Sequence, residues 1–149
     1  MNGAGILLRG PSGSGKSDLA LRLIDGGARL VADDQTELRR SAAGITASAP
    51  PTIAGLIEIR GIGILPCPST ASAPLRLVVD LVPPEQIERL PEPRLCCYLD
   101  CDIPLIALAP FEASAPAKLR FALRYAMTGR NAMTGHDTVS AQLSAARAS

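Results

Sequence analysis

Lys16 and Ser17 close the segment Gly10-Pro11-Ser12-Gly13-Ser14-Gly15-Lys16-Ser17, a glycine-punctuated turn ending in one cation and one hydroxyl. The spacing Gly-x-x-x-x-Gly-Lys-Ser is the Walker A pattern. Glycines let main-chain N–H groups turn inward and approach phosphate oxygens with no Cβ in the way. A helix starting near Lys16 adds the positive end of its dipole. Lys16 then reaches the β- and γ-phosphates of a nucleotide, and the Ser17 hydroxyl binds magnesium. ATP with Mg²⁺ is the expected ligand pair.

Such a cradle serves switches, motors and transferases alike, so the acceptor must be read from other residues. Asp33 and Asp34 end the stretch Leu30-Val31-Ala32. Carboxylates at the carboxyl end of a strand following the cradle's helix sit beside the phosphates. There one of them binds magnesium or accepts a proton from an attacking hydroxyl. Adjacent side chains on an extended segment point opposite ways, so one of the two faces the nucleotide. A solvated turn acid is the alternative. In LIEIRGIGIL, residues 56–65, Glu58 and Arg60 share one strand face, with Ile57 and Ile59 on the other. Such a pair suits a metal or phosphate wall, or equally a surface ion pair on a half-exposed strand.

These residues need elements to hold them. Ile6-Leu7-Leu8 reads as a buried strand entering the glycine turn. Leu19, Ala20, Leu23 and Ile24 repeat with helical period, and Gly26-Gly27 supplies the stop. Arg29–Ala32 reads as the next strand, giving a right-handed crossover with parallel neighbours. Residues 41–55 suit short strands and turns. Residues 56–65 suit one strand interrupted by two glycines, and 75–82 another stopped by Pro83-Pro84. Two shorter strands come next, at 95–99 and 104–108. Pro116 opens a last helix that buries Leu119, Ala122, Leu123 and Ala126. One domain over 1–130 is expected, with 131–149 a frayed or disordered tail.

Composition narrows the function classes. The chain has 149 residues and a net charge of +1, with no basic run, which argues against nucleic acid as a main partner. No apolar stretch reaches the ~18 residues of a membrane span, and the first residues lack a signal-peptide pattern, so the cytoplasm is the expected compartment. The four cysteines lack zinc-site spacing and read as reduced thiols.

Taken together, GPSGSGKSDLALRLIDGGARLVADD and LIEIRGIGI resemble the catalytic domain of the bacterial HPr kinase/phosphorylase family. The resemblance implies an α/β P-loop fold related to the phosphoenolpyruvate carboxykinase-like kinases, a mixed sheet with flanking helices. It also implies ATP-dependent phosphorylation of a serine in HPr, the phosphocarrier protein of the sugar phosphotransferase system. The reverse phosphorolysis would consume inorganic phosphate and release pyrophosphate. Assembly as a homo-oligomer, commonly a hexamer, is implied as well. Carried over by position, Lys16 is the phosphate-binding lysine, Ser17 and Glu58 are magnesium ligands, Asp34 is the proton acceptor, and Arg89 is a catalytic arginine.

Set against that resemblance, the chain starts too late to contain the family's catalytic histidine, so either a trimmed sequence or a protein that does without that residue is expected. The absence of a preceding regulatory domain resembles the short form known in alphaproteobacteria. Where the family carries an arginine-rich stretch tied to the reverse step, this chain has APFEASAP, residues 109–116. Glu112 there predicts repulsion of incoming phosphate and weak phosphorolysis, unless Arg120 or Arg124 substitutes. Two other functions compete: an ATP-sensing regulatory module without transfer, and a small-metabolite kinase.

Overall fold

The computed structural model describes residues 3–33, 35–51 and 54–128, and the backbone of 145–147. Its elements in order are β1 (Gly5–Arg9), α1 (Lys16–Asp25), β2 (Glu37–Ser41), β3 (Gly44–Ser48), β4 (Leu56–Ile59), β5 (Gly63–Pro66), β6 (Ser72–Leu81), β7 (Arg94–Tyr98), β8 (Cys101–Leu108), α2 (Ala115–Thr128) and β9 (Ala145–Arg147). A short 3-10 turn, Pro84–Gln86, leads away from β6.

The apolar runs set the centre of the sheet. Strands buried on both faces read as near-continuous aliphatic sequence, and β1, β6 and β8 do so. In β6, residues Leu77, Val78, Val79 and Leu81 are all buried. Its last residues pair in parallel with β1 on one side and β8 on the other. Its first residues, Ser72–Pro74, pair antiparallel with β3, which continues into the β2–β3 hairpin. Among the described residues, seven strands form one mixed sheet, with β9 parallel to β1 at its edge.

Two apolar layers flank this sheet. Ile6, Leu8, Leu77, Val79 and Leu81 pack against Leu19 and Leu23 of α1 and Leu119 and Leu123 of α2. On the other face Leu7, Leu75 and Val78 pack with Ile45, Ile103 and Leu105 from the flanking strands. Burying a Leu or Ile side chain stabilises by about 1.5–3 kcal/mol, so these layers supply the main cohesion.

Two expectations are corrected. Arg29–Ala32 does not become the strand beside β1; Leu30 makes one isolated parallel bridge, to Ser69. Its N–H donates to the Pro68 carbonyl, and its carbonyl accepts from the Thr70 N–H, both at 2.9 Å. The longer apolar run of β6 takes the place beside β1. Residues 56–65 form the β4–β5 hairpin instead of one strand, with Ile59 opposite Gly63. Gly61 at φ 85° permits the turn.

The expected last helix forms as α2, with Leu119 and Leu123 buried. The expected tail lies outside the described residues except at β9. Among the described residues no helix is long and apolar enough to cross a membrane.

Candidate active site

Because β1, β6 and β8 run parallel, their carboxyl ends open on one edge of the sheet, where α/β folds bind ligands. A cleft of about 720 Å³ lies there, lined by residues 10–18, Leu21, Glu58, Ile59, Arg60 and Phe111. All eight residues of the Walker A segment are brought together in it.

Gly15 caps α1 in the left-handed region, φ 99°. A Cβ built there would stand 2.8 Å from Pro110 Cγ and 3.0 Å from Phe111 Cζ. Backbone angle and close approach both require glycine. The Leu19 N–H donates to the Gly15 carbonyl at 2.9 Å, fixing the first turn of α1. The leading N–H groups of an α-helix have no acceptor within the helix, and here they begin inside the cleft. The Ser14 hydroxyl is buried with no hydrogen-bond partner among the described residues. An unpartnered buried hydroxyl costs free energy that a phosphate oxygen would recover. Cradle and orphan hydroxyl together fit a polyphosphate.

Glu58 reaches the cleft through the pleat of β4. Ile57 is buried and Glu58 is exposed, so alternation sends the carboxylate to the cleft wall with Arg60 beyond it. The Glu58 N–H donates to Asp33 Oδ2 at 3.0 Å. Asp33 is the one buried charged residue among those described. It therefore anchors β4 to the segment after α1. Burial, and secondarily the charge of Asp33, push the Cys67 thiol pKa up. Asp34 lies outside the described residues.

The other sequence-derived candidates lie elsewhere. Arg89 is exposed after the 3-10 turn and does not line the cleft. Arg120 reaches Gly26, at the far end of α1 from the cradle. Arg124 stacks on Phe121, 5.0 Å from the ring centroid. Neither stands in for an arginine at the phosphates. Glu112 also differs from expectation: its carboxylate pairs with Lys118 at 2.7 Å.

Three features went unread in the sequence. Arg22 of α1 donates to the Pro110 carbonyl and, at 3.2 Å, to the Glu112 carbonyl, fastening the β8–α2 loop. Phe111 of that loop lines the cleft. At the root of the cradle Arg9 grips Asp80 in a two-point pair at 2.7 and 2.9 Å, and also donates to the Tyr98 hydroxyl at 3.1 Å. This pair holds the Arg9 pKa above the ordinary arginine range. The readable signal was a charge closing each of two apolar runs, Arg9 after Ile6-Leu7-Leu8 and Asp80 after Leu77-Val78-Val79.

No cluster of three or more His, Cys, Asp or Glu able to hold a metal occurs among the described residues. The Ser17 hydroxyl and Glu58 carboxylate give two oxygen donors at the cleft. That set fits magnesium, which keeps waters and takes its remaining ligands from substrate phosphates.

Comparison with known proteins agrees with this geometry. Residues 1–106 match the family model of the HPr Serine kinase C-terminal domain. The HPr kinase/phosphorylase of Exiguobacterium sibiricum is 52% identical over 64 residues, 42% of this chain and 21% of that protein. That of Clostridium tetani is 46% identical over 67 residues, 45% of this chain and 22% of that protein. The match thus spans about a fifth of these curated relatives. The solved Hpr(Ser) kinase/phosphatase of Coxiella burnetii superposes with a TM-score of 0.70 at 29% identity, covering 80% of each chain.

Proposed function

The chain belongs to the HPr Serine kinase C-terminal domain family, and we propose that it transfers the γ-phosphoryl group of ATP to a serine hydroxyl of an HPr-type phosphocarrier protein. The observation that carries this reading is the convergence of the whole Walker A segment and Glu58 on one cleft. A nucleotide-binding fold without transfer has less need of the Glu58 carboxylate facing the cradle.

Lys16, half-buried at the first turn of α1, in this reading holds the β- and γ-phosphates and neutralises charge that builds during transfer. Ser17 and Glu58 would hold Mg²⁺, which when bound offsets phosphate charge. Asp34 accepts the proton from the attacking serine hydroxyl, and returns it if the reaction runs backward. Buried Asp33 has the different task of positioning Glu58 through its main chain. Arg89 belongs to this reading as a catalytic arginine only by family position, and its exposed segment would have to meet the site in an assembled state. The exposed Ile62 and Ile64 of the β4–β5 hairpin, together with Leu90 and Leu95, support a homo-oligomer, a hexamer by family resemblance.

The test is to incubate the chain with γ-labelled ATP, Mg²⁺ and HPr. Phosphoserine on HPr supports the reading. ATP binding with HPr left unlabelled would instead favour the ATP-sensing module.

A further inference from the structure

We propose that Phe111 is the platform on which the base of the bound nucleotide stacks, so that the β8–α2 loop holds the nucleoside end of the substrate. This rests on the nucleotide-binding reading above and extends it from phosphates to base.

Phe111 is the aromatic residue among those lining the cleft, and it is 69% exposed although its neighbours Ala109 and Pro110 are buried. The loop thus turns its preceding residues inward and presents one ring outward. Phe111 Cζ stands 3.0 Å from the Cβ position of Gly15, so the ring adjoins the residue that precedes Lys16. Leu21, a little over one turn along α1, lines the same cleft. Beyond the cradle the charged residues of the cleft are Asp18, which pairs with Arg22, and Glu58 and Arg60, suited to metal and phosphate. A nucleoside triphosphate matches this division, being charged at one end and flat with apolar faces at the other.

The ring is also held in place. Arg22 binds the carbonyls on both sides of Phe111, those of Pro110 and Glu112. Arg22 is itself held by Asp18, Nε to Oδ2 at 3.0 Å, and Glu112 is held by Lys118 at 2.7 Å. A ring whose backbone is already fixed loses little freedom when a base covers it. Stacking of a base on an aromatic side chain contributes enough for at least a several-fold gain in affinity.

The experiment compares ATP with inorganic tripolyphosphate, which has the phosphates and no base. Calorimetry on the whole chain should show Phe111→Ala weakening ATP about tenfold or more while leaving tripolyphosphate unchanged. The sequence contains no Trp, so Phe111→Trp introduces one reporter. Its emission should be quenched by ATP and not by tripolyphosphate. Equal losses for both ligands in Phe111→Ala, or Trp emission indifferent to bound ATP, would overturn the platform and leave Phe111 a prop for Gly15. Should the alanine variant fail to fold, the Trp variant decides alone. If the unmodified chain binds neither ligand, the cradle reading has failed and the platform falls with it.

Discussion

Asp33 and Glu58 show how a single hydrogen bond joins chain segments that the sequence presents separately. Asp33 is 7% exposed, and its carboxylate accepts from the Glu58 N–H at 3.0 Å. Asp33→Ala strands that N–H and should cost about 1–3 kcal/mol, read as a lower urea midpoint. Asp33→Asn keeps an acceptor oxygen and should be milder in stability. In activity it should also be milder than Asp34→Asn, which should leave nucleotide affinity nearly unchanged and slow transfer by about 10²-fold. Equal losses of rate in the two asparagine variants would contradict this division of labour. Cys67 reports on the same spot. With its pKa raised, first by burial and then by Asp33, a smaller fraction is thiolate at a given pH. Iodoacetamide should therefore alkylate it more slowly than the exposed Cys97 at pH near 8, and faster in Asp33→Asn than in the unmodified chain.

Among the elements, the Arg9–Asp80 pair ties the ends of β1 and β6 where the cradle begins. Each side chain is about 30% exposed, so solvent screens part of the attraction. Removing one partner should still cost about 1–2 kcal/mol through lost charge-assisted bonds. Asp80→Ala should lower the urea midpoint and raise the KM for ATP, with kcat less affected; an unchanged KM would show that the pair does not support the cradle. This pair also marks the limit of what one sequence discloses. The apolar runs of β1, β6 and β8, the period of α1 and α2, and the Walker A spacing depend on local pattern and were legible. Strand order is set by competition between distant segments, so the displacement of Arg29–Ala32 by β6 was not. The turn at Gly61 was visible as two glycines, yet nothing local says whether they bend a strand or reverse it. The exposure of Glu58 opposite buried Ile57 was readable all the same, because alternation is local to the strand. Arg60, by contrast, lies past β4 in the turn, and Ile59, expected on the opposite face, lines the cleft as well. Arg22 looked like an ordinary helix-surface residue, and only the folded loop reveals the carbonyls it binds.

For the whole molecule, the direction of catalysis is open to experiment. The described cations lining the cleft are Lys16 and Arg60, while Arg120 and Arg124 are turned to other contacts. Phosphorolysis needs inorganic phosphate held and neutralised as the attacking group, a task suited to a forked guanidinium. Arg60 is the one guanidinium among the described cleft residues, without the arginine-rich stretch that the family resemblance implies for the reverse step. The chain should therefore phosphorylate HPr readily and release pyrophosphate slowly from phosphoserine-HPr and millimolar phosphate; comparable forward and reverse rates would show that Arg60 or another cation does this work. Whether this cleft transfers phosphate to HPr at all is decided by single-turnover transfer of labelled γ-phosphate to HPr, measured beside ATP binding for the unmodified chain and Lys16→Ala. The unmodified chain should yield phosphoserine, and a folded Lys16→Ala should bind ATP far more weakly and transfer nothing. ATP held tightly by the unmodified chain with HPr unlabelled, or Lys16→Ala still transferring at a tenth of the normal rate, would refute the assignment.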